Sequence, residues 1–285
     1  MAWDDLTGTD VRLSSNAVET ARFGVSIARL SVGWDLPTSG PTFEFAAEAV
    51  SDALARSPDD VVVVRYPAQV IRLGAVVARS GRTVVPAGAL TYWGARAESV
   101  PTVTGEDLAV EPAASLPGSA ADVGRMLDDV VADSFAGYGN HYLANPLLDS
   151  GAALAGYQEW ARRSLPGDRD ALVLVGSTGP IGVATLVGSH DGRSHLEVLL
   201  AGLVSAAQGR GSYAVLLSAC AGEARRRGLD RLIISTQVHN VRVQRAWARL
   251  GLRPFAAVET VHAVRTALVA PDTPAGFEYR LPGPA

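Results

Sequence analysis

Apolar and polar positions fall into two successive trains of strand and helix patterns. Residues 25–32 alternate as a strand does, and from Phe43 to Arg56 the residues Phe45, Ala46, Ala49, Val50 and Leu54 recur at helical spacing. The β-branched run Val61 to Val64 has the character of a buried central strand. Pro67, which has no N–H to lose in a first turn, is expected to open a second helix, with Val70, Leu73, Val76 and Val77 on one face of 68–80. Residues 83–92 read as a third strand. Periodicity then disappears from Ala95 to Ser119, where Pro101, Pro112 and Pro117 gather, so a domain boundary is expected near residue 113.

Beyond it the pattern predicts helices over 120–135 and 152–163, separated by an aromatic and polar stretch from Tyr138 to Asp149. Short β-rich runs at 171–175, 181–188 and 196–204 are separated by Gly179-Pro180 and Asp191-Gly192, which signal a meander of hairpins. An amphipathic helix (213–227), an apolar strand (232–235), a second helix (241–250) and an alternating strand (255–264) follow. The expected class is therefore α/β with a mixed sheet: a small domain at 1–113 and a larger one at 114–285, whose strand and helix orders echo one another. The stretch from Val269 onward carries four prolines and is expected to lie irregularly on the surface.

The chain has 285 residues, 48% of them hydrophobic, with a formal charge of −4. All 25 basic residues are arginine. Without lysine there is no Schiff-base amine, no anchored pyridoxal phosphate and no Walker-loop lysine. The negative charge argues against a nucleic-acid partner. Cys220 is the only cysteine, which excludes an internal disulfide and a multi-cysteine zinc site, and the histidines have no metal-ligand spacing, so no metal is expected. The acidic start and the lack of an apolar run of about 18 residues lead to the expectation of a cytoplasmic protein with no membrane partner.

The strongest local signal is Gln208-Gly209-Arg210-Gly211-Ser212-Tyr213, between an apolar strand and an amphipathic helix. Two glycines allow close backbone approach, and the following helix points N–H groups and its positive dipole end at the same place, an arrangement suited to an anion. An ordinary strand-to-helix turn is the competing reading.

A meander, this loop, then helix, strand and a helix led by Asn240 resemble the GNAT superfamily of acyltransferases over about residues 171–265. The resemblance implies a GNAT fold in the second half, with a degenerate partial copy in the first. It implies acetyl-CoA, or another acyl-CoA, as co-substrate: Gln208, Gly209, Arg210, Gly211 and Ser212 on its pyrophosphate, Leu203 and Val204 along its pantetheine, and Asn240 and Trp247 beside it. Glu197, eleven residues before Gln208, corresponds to a general base. Trp247 stands where many members carry an acidic tyrosine, and indole cannot supply that proton; Tyr213 is the substitute candidate. For the acceptor the candidates are Tyr138, His141, Tyr142 and His239. Phe23-Gly24-Val25, Thr236-Gln237 with Asn240, and Asn145-Pro146-Leu147 look most like dTDP-fucosamine acetyltransferase and its relatives. They imply N-acetylation of a small amine, such as the amino group of a nucleotide-linked amino sugar. A hydroxyl or natural-product acceptor, a longer acyl donor, a non-catalytic acyl-CoA-binding protein and association into a homodimer stay open.

Overall fold

The computed structural model describes residues 2–166, 170–189 and 194–269. The expected Asp191-Gly192 turn and all but the first residue of the proline-rich stretch from 269 onward lie outside them. Ten strands form one mixed sheet: β1 (Val11–Ser15), β2 (Ile27–Val32), β3 (Val61–Pro67), β4 (Thr83–Arg96), β5 (Ala109–Pro112), β6 (Ala171–Gly176), β7 (Gly179–Gly188), β8 (His195–Leu203), β9 (Arg231–Gln237) and β10 (Arg253–Val264). The helices are α1 (Ala17–Phe23), α2 (Pro41–Arg56), α3 (Arg72–Ala78), α4 (Ala120–Phe135), α5 (Ser150–Arg163), α6 (Ser212–Arg226) and α7 (Val241–Arg249).

Strand order is β1-β2-β3-β10-β4-β9-β8-β7-β6-β5. Each half contains a parallel pair joined by a crossover helix, then a second helix and an antiparallel strand: β2-α2-β3-α3-β4, and β8-α6-β9-α7-β10. The last strand of each unit sits inside the other: β10 lies between β3 and β4, and β4 between β10 and β9. Exchanging the two units leaves the order β2-β3-β10-β4-β9-β8 unchanged, so the halves are related by a pseudo-twofold axis. Aligning the seven-residue strands β3 and β9 residue for residue puts that axis at the Leu90–Val258 pair.

The apolar pattern explains the layering. On one face, Phe43, Val50 and Leu54 of α2 and Leu73 and Val77 of α3 pack on Leu30, Val62 and Val64. On the same face, Leu216, Leu217, Cys220 and Ala221 of α6 cover Leu172, Leu186, Leu196, Val198 and Ile234. The other face is covered by α1, α4, α5 and the segment between α4 and α5. There Leu127 and Val131 meet Val173, Val183 and Leu200, while Tyr142, Leu148 and Ala153 meet Ile27, Val61 and Val63. Both covering helices start at side-chain caps: Ser119 and Asp122 form a reciprocal capping box on α4, and Asp149 Oδ1 accepts from Ala152 N (2.7 Å) on α5.

Pro67 closes β3, pairing with Val258, instead of opening a helix; residues 68–71 form a turn and α3 begins at Arg72. Three elements had no pattern to reveal them. Edge strand β1 is largely exposed, α1 buries only Glu19, and four-residue β5 ends in a proline within the aperiodic stretch, pairing with β6 across the expected boundary. Because β10 completes the sheet of the first half, a chain ending at Arg249 is expected to lose the cooperative fold of both halves. Thermal unfolding followed by far-ultraviolet circular dichroism checks this; a surviving cooperative transition from residues 1–113 would contradict it.

Candidate functional site

The parallel ladder between β8 and β9 pairs His195 with Arg231 through Val198 with Ile234 and then stops, although β8 runs on to Leu203 and β9 to Gln237. Where Thr185 and Leu186 of β7 pair with Leu200 and Val198, the ladder skips Leu199, and at this bulge β8 turns, so that its last five residues follow β7 away from β9. The strands splay, and a cavity of about 960 Å³ fills the opening. It is lined on the α6/α7 side by Gln208, Gly209, Gly211, Tyr213 and Trp247, and on the opposite face of the sheet by Tyr138, His141, Tyr142 and Arg65. The cavity thus passes through the sheet at the wedge. Its size is in the range of small-molecule sites.

At the α6 end, Gly209 (φ 80°) and Gly211 (φ 84°) both occupy the left-handed region. A Cβ on Gly211 would meet nothing within 4 Å, so its backbone faces open space, and no side chain caps the start of α6. Such a turn offers N–H groups to an anion. Gln208 Nε2 donates to the Leu203 carbonyl (3.1 Å), which ties the loop to the splayed end of β8. Arg242, in the first turn of α7, donates to Gln208 Oε1 (3.1 Å). The cation beside the loop that lines the cavity is therefore Arg242, a residue sequence reasoning missed; Arg210 is exposed and does not line it. These donors fit the diphosphate of a coenzyme A molecule.

Eleven of the fifteen residues singled out from sequence line the cavity: Glu197, Leu203, Gln208, Gly209, Gly211, Tyr213, Asn240, Trp247, Tyr138, His141 and Tyr142. Val204, Arg210, Ser212 and His239 do not. The Val204 N–H is engaged by the Ile181 carbonyl (2.9 Å), which leaves Leu203 as the β8-end residue whose carbonyl faces the loop. His239 is exposed on the turn before α7.

Glu197 is buried, 1% exposed, and its Oε2 accepts the Trp3 N–H at 2.6 Å. Burial pushes its carboxyl up to about 7, against the lowering pull of that hydrogen bond and with the acids Asp4 and Asp5 adding to the rise. A carboxylate poised near neutrality, in a cavity, is suited to accept a proton. On the other side of the wedge Trp247, 1% exposed, packs edge-on against Trp93 and donates from Nε1 to Tyr213 Oη at 3.3 Å. Burial raises the Tyr213 phenol, which makes it hold its proton and act as a hydrogen-bond donor. At the splayed end of β9, Asn240 Nδ2 donates to Thr236 Oγ1 (3.1 Å), and Tyr138 Oη lies 3.3 Å from the same hydroxyl while accepting from Gln237 N (3.4 Å).

Strand register puts Arg29, Arg65, Tyr92, Thr260, His262 and Glu197 on one face, under α1, α5 and the segment between α4 and α5. His141 Nδ1 and His262 Nε2 are 2.9 Å apart, and burial lowers both rings, His262 to about 4, so the pair is neutral. Glu19 binds Arg29 and accepts from Tyr142 Oη. Phe135 stacks on Tyr157 (ring centroids 5.1 Å apart) and Tyr138 meets both edge-on, giving the cavity an aromatic wall. Sequence reasoning missed Arg29, Arg65 and Glu19. The available signal was a charged residue directly after four valines in a central strand.

Among solved structures, the chain is similar to a GCN5-related N-acetyltransferase from Sphaerobacter thermophilus, with 13% identity over 88% of this chain and 76% of that one and a TM-score of 0.57. One from Kribbella flavida matches at 13% identity over 92% and 91%, with a TM-score of 0.52. A tandem GNAT protein from the clavulanic acid biosynthesis pathway matches at 14% over 85% and 76%, with a TM-score of 0.51. No family model matches the sequence, and no curated protein matches it either. The fold is that of the GCN5-related N-acetyltransferases. Among the described residues no group of histidine, cysteine and carboxylate side chains is arranged to hold a metal, and no helix is long and apolar enough to cross a membrane.

Because the Glu197 pKa is about 7 in the folded chain against an ordinary 4.5, the native state holds this proton more tightly than the unfolded one. The contribution is fully present below pH ~4.5 and is lost as pH rises through about 7. Glu197→Gln, which keeps an acceptor for Trp3, is therefore expected to be more stable than the parent at pH 8, by about 3 kcal/mol. Urea titrations at pH 8 and pH 5 check this: the gap should close at the lower pH.

Proposed function

We propose that the protein is an acyl-CoA-dependent N-acyltransferase, with acetyl-CoA as donor and a small amine as acceptor. The observation that carries this reading is the separation of β8 from β9 after Val198–Ile234, which opens a passage with an anion-suited turn on one side and a buried, near-neutral carboxylate on the other. In this reading the diphosphate lies on the Gln208–Gly211 turn beside Arg242, and the pantetheine arm follows the splayed edge of β8 at Leu203. The thioester then stands at the wedge, near Glu197, and the acceptor enters from the face of Tyr138 and His141.

The chemistry is direct transfer. Glu197 takes a proton from the ammonium group, itself or through a water, and the freed nitrogen attacks the thioester carbonyl carbon. Backbone N–H groups along the unpaired edge of β8 stabilise the oxyanion. The C–S bond breaks as the attacking nitrogen, cationic in the tetrahedral intermediate, gives up its second proton to water, and the thiolate, whose conjugate acid has a pKa of about 8.5, leaves with a proton from solvent or a neighbouring hydroxyl. Tyr138, hydrogen-bonded at the splayed end of β9, is a hydroxyl on the acceptor side, and Tyr213 one on the α6 side. The nucleotide-linked amino sugar that the dTDP-fucosamine-like motifs suggest is the finer version of this reading; the aromatic wall of Phe135, Tyr138 and Tyr157 supports a ring-bearing acceptor. Trp247, which cannot give up a proton, favours a second reading in which the protein binds acyl-CoA without turning it over.

Thiol release from acetyl-CoA against a panel of amines separates the two readings. For the transferase, Glu197→Gln is expected to lower kcat by about 10²- to 10⁴-fold with little change in the acetyl-CoA dissociation constant. The parent kcat/KM should rise as pH passes through about 7. Gly211→Val puts a branched side chain where φ is 84° and into open space, and is expected to weaken acetyl-CoA binding by about tenfold or more. Calorimetry measures it, and an unchanged constant would remove the turn from the site.

A further inference from the structure

Three side chains at the splayed end of β9 form a hydrogen-bond chain whose directions follow from their chemistry. Asn240 caps α7: its Oδ1 accepts from Val243 N (3.4 Å), so Nδ2 is the atom turned to Thr236 Oγ1, at 3.1 Å. Thr236 therefore accepts from the amide and keeps its own hydroxyl proton to give. The residue is 4% exposed, and the further partner of Oγ1 is Tyr138 Oη, at 3.3 Å. A buried hydroxyl proton without an acceptor is costly, so Thr236 donates to Tyr138. Gln237 N donates to the same phenol oxygen, at 3.4 Å. Tyr138 Oη thus accepts twice, and its own proton is left to give.

The phenol stands at the gap between the strands. Val238 N bonds to the Ala89 carbonyl on β4, so Gln237 N, one residue earlier, points the opposite way, into the space that β8 has vacated. Tyr138 Oη is therefore anchored on the β9 edge of the gap, across from the β8 edge that ends at Leu203. The residue is half-buried and lines the cavity. Its ring is held from behind, where Tyr138 N donates to the Phe135 carbonyl (3.0 Å) and the ring meets Phe135 and Tyr157 edge-on. Glycines flank it, and a Cβ on Gly139 would stand 3.0 Å from His239 Nε2, so the segment passes close over the turn that begins α7.

Three more tyrosines line the cavity, Tyr142, Tyr157 and Tyr213. Tyr142 donates its proton to Glu19, burial raises Tyr157 and Tyr213, and Tyr213 accepts a single bond, from Trp247 Nε1. A phenol oxygen that already accepts two hydrogen bonds is the better placed to carry the negative charge that proton donation leaves behind. We infer that Tyr138 is the catalytic acid of the transfer. As the C–S bond breaks its electron pair stays on sulfur, the Tyr138 hydroxyl proton passes to that sulfur, and the phenolate is held by the Gln237 N–H and the Thr236 O–H until solvent returns a proton. This rests on the acyl-transfer reading. It gives the segment between α4 and α5 the step for which Trp247 has no proton to offer.

Single-turnover transfer from acetyl-CoA, with the protein in excess over the thioester and the best amine of the panel, reads this step apart from product release. Tyr138→Phe keeps the ring and its packing; its maximal rate constant is expected to fall about 10²-fold, with the coenzyme A dissociation constant and the half-saturating amine concentration within about threefold of the parent. Thr236→Val removes one of the two donors to the phenol and should fall less, by about threefold to tenfold, while Tyr213→Phe stays within about threefold. A Tyr138→Phe rate constant within about threefold of the parent would overturn the assignment, as would a loss confined to amine affinity. A larger fall in Tyr213→Phe would transfer the role to that residue, and a Thr236→Val indistinguishable from the parent would break the directed chain on which the inference stands. Calorimetry of coenzyme A binding reports that each variant is folded. Absence of thiol release from the parent with every amine is a separate result, which removes the acyl-transfer reading itself.

Discussion

The antiparallel contact between β4 and β10 is the constraint on which the molecule depends. Each strand is the last of its own unit and lies inside the other unit's sheet, so their pairing from Arg253–Gly94 to Val264–Thr83 joins the two halves without a linker. The axis falls on Leu90 and Val258, and Val258 is 1% exposed. Neither half can close its core alone: Val62 and Val64 need Ala263 beside them, as Ile233 needs Tyr92. Because the exchange keeps all four crossover helices on one face, the opposite face is left to α1, α4 and α5, and it is there that the polar side of the cavity lies.

The wedge follows from that frame together with a local irregularity. A parallel pair held to its full length would seal the sheet. The shift at Thr185/Leu186 bends β8 toward β7, and the backbone groups freed on β8 and β9 are then exposed to a cavity and not to neighbouring strands. Burial does the rest. It raises Glu197 and lowers His141 and His262, so that groups ordinarily charged or neutral at physiological pH are shifted in opposite senses within one chamber.

Much of this was legible along the chain, and the reasons are physical. The helix α4, with a sustained apolar stripe and a capping box, was recovered at its true limits, most of the other helices to within one or two residues, and the buried strands declared themselves as β-branched runs. The Gln208–Tyr213 turn and Glu197 stood out because glycine spacing and strand position carry local meaning. Arg242 and Arg65 did not. One reaches the turn from a different element, and the other becomes part of the cavity only through the reciprocal exchange of strands, a long-range pairing that no local window contains. Elements with little buried surface, β1, α1 and β5, escaped for the opposite reason: nothing apolar repeats in them.

The hydrogen bond from the Trp3 amide to Glu197 spans 194 positions of the sequence. A chain still emerging, or one that has gathered only its second half, holds Glu197 beside solvent as an ordinary carboxylate, almost wholly ionised at neutral pH and a weak proton acceptor. Basicity at that position needs the opening residues in place on β8, where Glu197 is buried. The raised proton affinity of Glu197 is therefore a property of the folded molecule, in which the opening residues lie against β8.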